Sequence, residues 1–96
     1  MTDKKFKENN NTAVFTTKFV TNDKKDITIV THEKEDGAWQ FFSGDHFDNF
    51  EDVAVIVGLG EIIRIDSTIL DVADMPEGYY AHRKVKGDKW IIEQQK

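Results

Sequence analysis

The chain predicts an α+β domain: an antiparallel sheet of about five strands, in the order β-β-β-α-α-β-β, with two short helices on one face. Three observations predict it. Segments rich in β-branched and aromatic residues stand near both ends of the sequence, and such side chains fit a pleated, half-buried surface. Polar turns of a few residues join them, which makes sequence neighbours antiparallel. Between the two groups, apolar residues recur at helical rather than strand spacing. Strands, then helices, then strands is the pattern of a sheet with helices packed on one side.

The elements follow in order. Residues 1–12 are polar, with Asn9, Asn10 and Asn11 in a row, and read as a disordered, frayed tail. The single folded domain spans 13–96. A-V-F-T-T-K-F-V, 13–20, reads as a strand, T-N-D-K-K, 21–25, as a polar turn, and D-I-T-I-V-T-H-E, 26–33, as a second strand. K-E-D-G, 34–37, is a hairpin turn in which Asp36-Gly37 supplies the positive φ of a tight reversal. A-W-Q-F-F-S, 38–43, is the third strand of an antiparallel meander. Side chains alternate along it, so Trp39 and Phe41 share one face and Phe42 takes the other. Both faces therefore need cover. A helix can supply one; the other needs a loop, the N-terminal arm or a second protein.

Beyond Ser43-Gly44, Phe47, Phe50 and Val53 or Ala54 follow helical spacing, which allows a short helical turn. V-A-V-I-V, 53–57, reads as a short strand or an extended connection. L-G-E-I-I-R-I-D, 59–66, reads as a helix, and Ser67 can N-cap a second one running through Asp74. Met75-Pro76-Glu77-Gly78 stops it. Y-Y-A-H-R-K-V, 79–85, and K-W-I-I-E, 89–93, flank K-G-D as a closing hairpin.

Composition narrows the function classes. The chain has 96 residues, 39% hydrophobic and 32% charged, enough for one modest core under a charged exterior. It has no cysteine, so disulfides and thiolate metal sites are excluded. No apolar stretch follows the early lysines as in a secretory leader. The run from Val53 to Leu59 is far too short to span a bilayer. The expectation from these features is a cytoplasmic protein.

Charge is unevenly spread. Residues 1–25 and 78–96 each carry +3, whereas residues 26–77 hold thirteen acids against Lys34 and Arg64, and the net charge is −5. Phosphate backbones are repelled by such a middle, which argues against nucleic acid and suits a basic protein partner. A solvated acidic surface that keeps a small protein soluble is the plain alternative.

No constellation carries chemistry. His32, His46 and His82 are widely spaced, and His46 with Asp48 offers two metal ligands at most, a pattern more common in surface turns. Asp45, Asp48, Glu51 and Asp52 have the composition of a Ca²⁺ loop without its spacing. Ser43 lies outside any G-x-S-x-G motif. Gly58-Leu59-Gly60 before a helix suggests a phosphate loop only faintly, and close packing is the stronger reading. The expectation is a non-enzyme with no cofactor, no metal and no catalytic residue. Trp39 and Trp90 read as core. The candidate partner-binding residues are Asp45, Phe47, Asp48, Phe50, Glu51 and Asp52: an acidic segment with two aromatic anchors.

The strings A-V-F-T-T-K-F-V, I-T-I-V-T-H-E and D-G-A-W-Q-F-F-S-G-D-H resemble a family of small bacterial proteins of unknown function. That family is grouped with the predicted immunity proteins of polymorphic toxin systems, as immunity family thirty-three. Asn49, Ile62-Ile63, Asp66, Pro76, Gly78 and Trp90 fit the same order, so the resemblance spans residues 13–92. Ala13, Thr31-His32, His46 and Ser67 depart from its pattern. The resemblance implies a protein that neutralises a toxin by occluding it, and no catalytic residues. A small-ligand or regulatory module is the alternative, needing an apolar pocket lined by Trp39, Phe41 or Tyr80. An uncovered face or edge strand would permit a weak homodimer in place of a monomer.

Overall fold

The structure is a computed structural model and describes residues 3–96. Strands β1 (Ala13–Thr17), β2 (Ile29–His32), β3 (Trp39–Phe42), β4 (Ala54–Gly58), β5 (Tyr79–His82) and β6 (Ile91–Gln94) form one mixed sheet, ordered β4-β1-β3-β2-β5-β6. The helices are α1 (Lys18–Thr21), α2 (Phe50–Val53), α3 (Leu59–Ile65) and a 3-10 helix (Ser67–Val72). The α+β class stands, with six strands in place of about five and four short helices among the described residues in place of two. Residues 53–57, open between strand and connection, are mostly edge strand β4.

The expected meander is corrected at its first step. β2 and β3 form the hairpin, closed through Gly37 at φ 71°. β1 lies beside β3 and runs parallel to it, with Phe15 opposite Gln40, and it also pairs antiparallel with β4. The cause lies in residues 18–28. Lys18 to Thr21 coil into α1, and both Val20 and Ile27 enter the core. A tight turn cannot bury two such side chains, so the segment crosses over instead and carries Lys24 at φ 59°. Thr16, fully buried at the parallel junction, donates its Oγ1 hydrogen to the Phe41 carbonyl at 2.8 Å, which satisfies a polar group that would otherwise be costly there.

Directly opposed residues share a sheet face, so the register defines two. The inner face carries Val14, Val30, Trp39, Phe41 and Ala81, all buried. Leu59 and Ile62 of α3, Ile69 and Val72 of the 3-10 helix, and Met75 complete the core. Phe6 belongs to it too: its ring meets Trp39 edge-on, with centroids 4.8 Å apart. The segment read as a frayed polar tail thus contributes a core aromatic, and its Asn10 and Thr12 carbonyls accept from Gly60 N and Leu59 N.

On the outer face, one row runs Ile56, Phe15, Gln40, Thr31, Tyr80, Glu93 across all six strands. Helices are therefore not confined to one side: Phe50 of α2 packs on Phe15 and Phe42 from this outer side.

Ser67 is not the expected N-cap. Asp66 takes that role, accepting from Thr68 N at 2.9 Å. Its other oxygen accepts from Arg83, whose guanidinium also donates to the Ile27 carbonyl and stacks 3.9 Å over Trp90. No helix among the described residues is long and apolar enough to cross a membrane.

Candidate functional site

Phe41 is the last inward side chain of β3; Phe42 points outward, and Ser43-Gly44 then leave the sheet. Gly44 sits at φ 84°, a conformation that side chains with a Cβ resist. Ser43 Oγ donates to Asp45 Oδ2 at 2.8 Å, and Asp45 N returns a longer bond to Ser43 Oγ. This turn redirects the chain across the outer face.

There the two aromatics of the segment turn inward. Phe47 packs on Phe50 with ring centroids 5.9 Å apart, and Phe50 packs on both Phe42 and Phe15. Both rings are half-buried, and Asp45 is too. Asp48, Glu51 and Asp52 are exposed. His46 Nε2 lies 3.2 Å from Asp48 Oδ1, and both side chains are about nine-tenths exposed. The six sequence-predicted residues thus lie together as one ridge but divide by role. The phenylalanines and Asp45 fasten it, and three acids face outward. β4 follows at once, and its Ile56 is 64% exposed opposite Phe15.

Beneath the ridge lies a cavity of about 230 Å³, lined by Thr17, Ile29, Phe42, Asp45 and Phe47 among others. Thr17 follows Phe15 by two residues and so shares the outer face with Phe42. It is 1% exposed, and its Oγ1 has no hydrogen-bond partner among the described residues. Sequence reasoning missed Thr17. Nothing in A-V-F-T-T distinguishes it from Thr16, because the difference lies in which face each takes.

The other candidates separate. Trp39 lines a second cavity of about 480 Å³ with His32, Met75 and Pro76, and its Nε1 also has no hydrogen-bond partner among the described residues. Of the three residues named as alternatives for a ligand pocket, Trp39 lines this cavity, whereas Phe41 is fully buried and Tyr80 stands on the opposite face. His32 stacks on Trp39 at 3.8 Å, and its Nδ1 meets the Met75 carbonyl at 2.8 Å. A carbonyl only accepts, so the proton sits on Nδ1. Trp90 is half-buried and gives its Nε1 hydrogen to the Thr68 carbonyl.

Gly58-Leu59-Gly60 presents no phosphate cradle. The Leu59 and Gly60 amides are spent on Thr12 and Asn10. A Cβ on Gly60 would lie 2.9 Å from Asn10 Cβ, so this glycine serves close packing.

On the polar half of the outer face, Glu93 accepts from Tyr80 Oη at 3.3 Å and meets His82 Nε2 at 2.6 Å. The Tyr80 phenol is held above its ordinary pKa, first by partial desolvation, then by the charge of Glu93 and the hydrogen bond between them. No family model, no curated protein and no solved structure matches this chain.

Proposed function

We propose that the chain is a non-enzymatic cytoplasmic binding protein that occludes a basic protein partner, in the manner of a toxin-neutralising immunity protein. One observation carries the reading. Phe47 and Phe50 pin the 45–52 segment to the sheet, so Asp48, Glu51 and Asp52 project from a braced ridge beside an exposed Ile56. A ring of like charge beside an apolar contact suits an oppositely charged protein: the charges speed encounter, and burial of the apolar group slows release. Bracing lowers the ordering cost of binding. The resemblance over residues 13–92 points to the same class of partner.

The test is co-expression with the C-terminal domain encoded by the neighbouring reading frame, followed by stopped-flow association of the purified pair. Protection of growth and a stable complex are expected. Replacing Asp48, Glu51 and Asp52 by Asn, Gln and Asn should slow association by about tenfold at low salt and flatten its salt dependence. Asp45 is left in place because it holds the turn. Unchanged kinetics would remove the ridge from the interface. Absence of both protection and complex would overturn the functional reading itself.

A further inference from the structure

The cavity under the ridge is walled by aromatic and aliphatic side chains, and its polar lining is Thr17, Ser43 and Asp45. Phe42, Phe47 and Ile29 form apolar walls, with Asp45 and Thr17 also in the lining. One carboxylate oxygen of Asp45 takes the Ser43 hydroxyl, which leaves lone pairs free on the other. The Thr17 hydroxyl is buried and has no partner among the described residues, and a buried polar group in that state costs stability unless a ligand relieves it. Both groups can accept hydrogen bonds, and the Asp45 carboxylate is an anion. Aromatic faces attract a cation, the planar guanidinium above all. About 230 Å³ is below the usual range for drug-sized ligands, roughly 300–1,000 Å³, and suits a single side chain.

We propose that this cavity is the anchor pocket of the interface and receives an arginine side chain of the partner. Its guanidinium stacks against Phe42 or Phe47, pairs with Asp45 and gives Thr17 Oγ1 the donor it lacks. The inference rests on the proposed acidic interface and adds its specificity determinant. It also gives the unpartnered hydroxyl a use that folding alone does not.

The free chain tests it with n-propylguanidinium as the probe, followed by amide chemical shifts. Saturable shifts at millimolar probe are expected at Thr17, Gly44, Asp45 and Phe47, with n-butylammonium at least threefold weaker. Thr17→Val should raise the melting temperature, because it removes an unpaired polar group, while weakening the probe at least fivefold. A role in folding alone does not produce that opposition. Asp45→Asn keeps an acceptor for Ser43 and should also weaken the probe at least fivefold. Equal shifts in both variants, or equal shifts with sodium chloride at matched ionic strength, would overturn the pocket. If the probe fails while the ridge variant still slows toxin association, the anchor falls and the interface stands. If the probe binds but ridge charges leave association unchanged, the pocket stands and the acidic-ridge reading falls.

Discussion

Arg83 Nη2 donates to Asp66 Oδ2 at 2.8 Å, and the two side chains are 0% and 3% exposed. The pair ties the end of β5 to the start of the 3-10 helix. It is satisfied on every side: Arg83 Nε and Nη2 both reach the Ile27 carbonyl, Nη1 reaches Thr68 Oγ1, and Asp66 Oδ1 caps Thr68 N. Removing one member of such a pair strands the other charge, at about 3–5 kcal/mol, a large share of the roughly 5–15 kcal/mol that holds a domain together. Asp66→Ala should therefore lower the unfolding free energy by about 3–5 kcal/mol. Asp66→Asn, which can still accept from Thr68 N, should cost less. Arg83→Lys should also destabilise, since an ammonium lacks the planar fork that reaches three acceptors. Urea unfolding followed by tryptophan fluorescence measures all three. A loss below about 1 kcal/mol for Asp66→Ala, the size of a cap alone, would show that the buried charge is compensated elsewhere.

Phe6 gives a second prediction. Its ring lies 4.8 Å from that of Trp39 and 6.4 Å from that of Phe41, and the residue is 9% exposed. Phe6→Ala should cost about 3–5 kcal/mol, the usual range for an aromatic deleted from a core. The same urea titration reads it, with Lys5→Ala, an exposed neighbour, expected to be near neutral. A near-neutral Phe6→Ala would mean that the N-terminal segment does not hold the core in solution.

Phe6 also shows where sequence reasoning stops. K-K-F-K-E is polar on every local count, and nothing local reveals that the inner face of β3 leaves room beside Trp39 for one more ring. Local signals were legible where local geometry decides. Gly37 and Gly87 take positive φ in the two expected hairpins; Trp39 and Phe41 are buried while Gln40 and Phe42 are half-buried; Leu59 and Ile62 make the buried stripe of α3. Non-local pairing was not legible. β1 joins β3 rather than β2 because Val20 and Ile27 both find the core, which no window of the sequence encodes. The ridge was found by its acids. Its aromatics have the spacing of partner contacts, yet Phe50 meets Phe15 and Phe42, and Phe47 packs on Phe50, because spacing alone cannot say which surface an aromatic faces. Arg83 had one faint signal: it is one of only two arginines in a chain that otherwise uses lysine.

The last prediction concerns pH. Tyr80 sits opposite Glu93 in the β5–β6 ladder, and their side chains hydrogen-bond on the outer face. Partial desolvation, then the Glu93 charge and that bond, raise the phenol above its ordinary 10.0. A phenol with a raised pKa favours its neutral form in the folded state. Its contribution to stability is therefore fully present below the unfolded value and is lost as pH rises through the folded one. The chain has two tyrosines, so a Tyr79→Phe background leaves one phenol to follow by ultraviolet absorbance of the phenolate. Native Tyr80 should titrate above the same residue in urea. Glu93→Gln removes the charge but not the desolvation, so it should bring the native titration down towards 10.0 without reaching it. The alkaline decline in stability should then be smaller in the variant. An unchanged titration in Glu93→Gln would show that the carboxylate does not act on the phenol, and that β6, exposed along its whole length, is held to β5 by the backbone ladder without that side-chain pair.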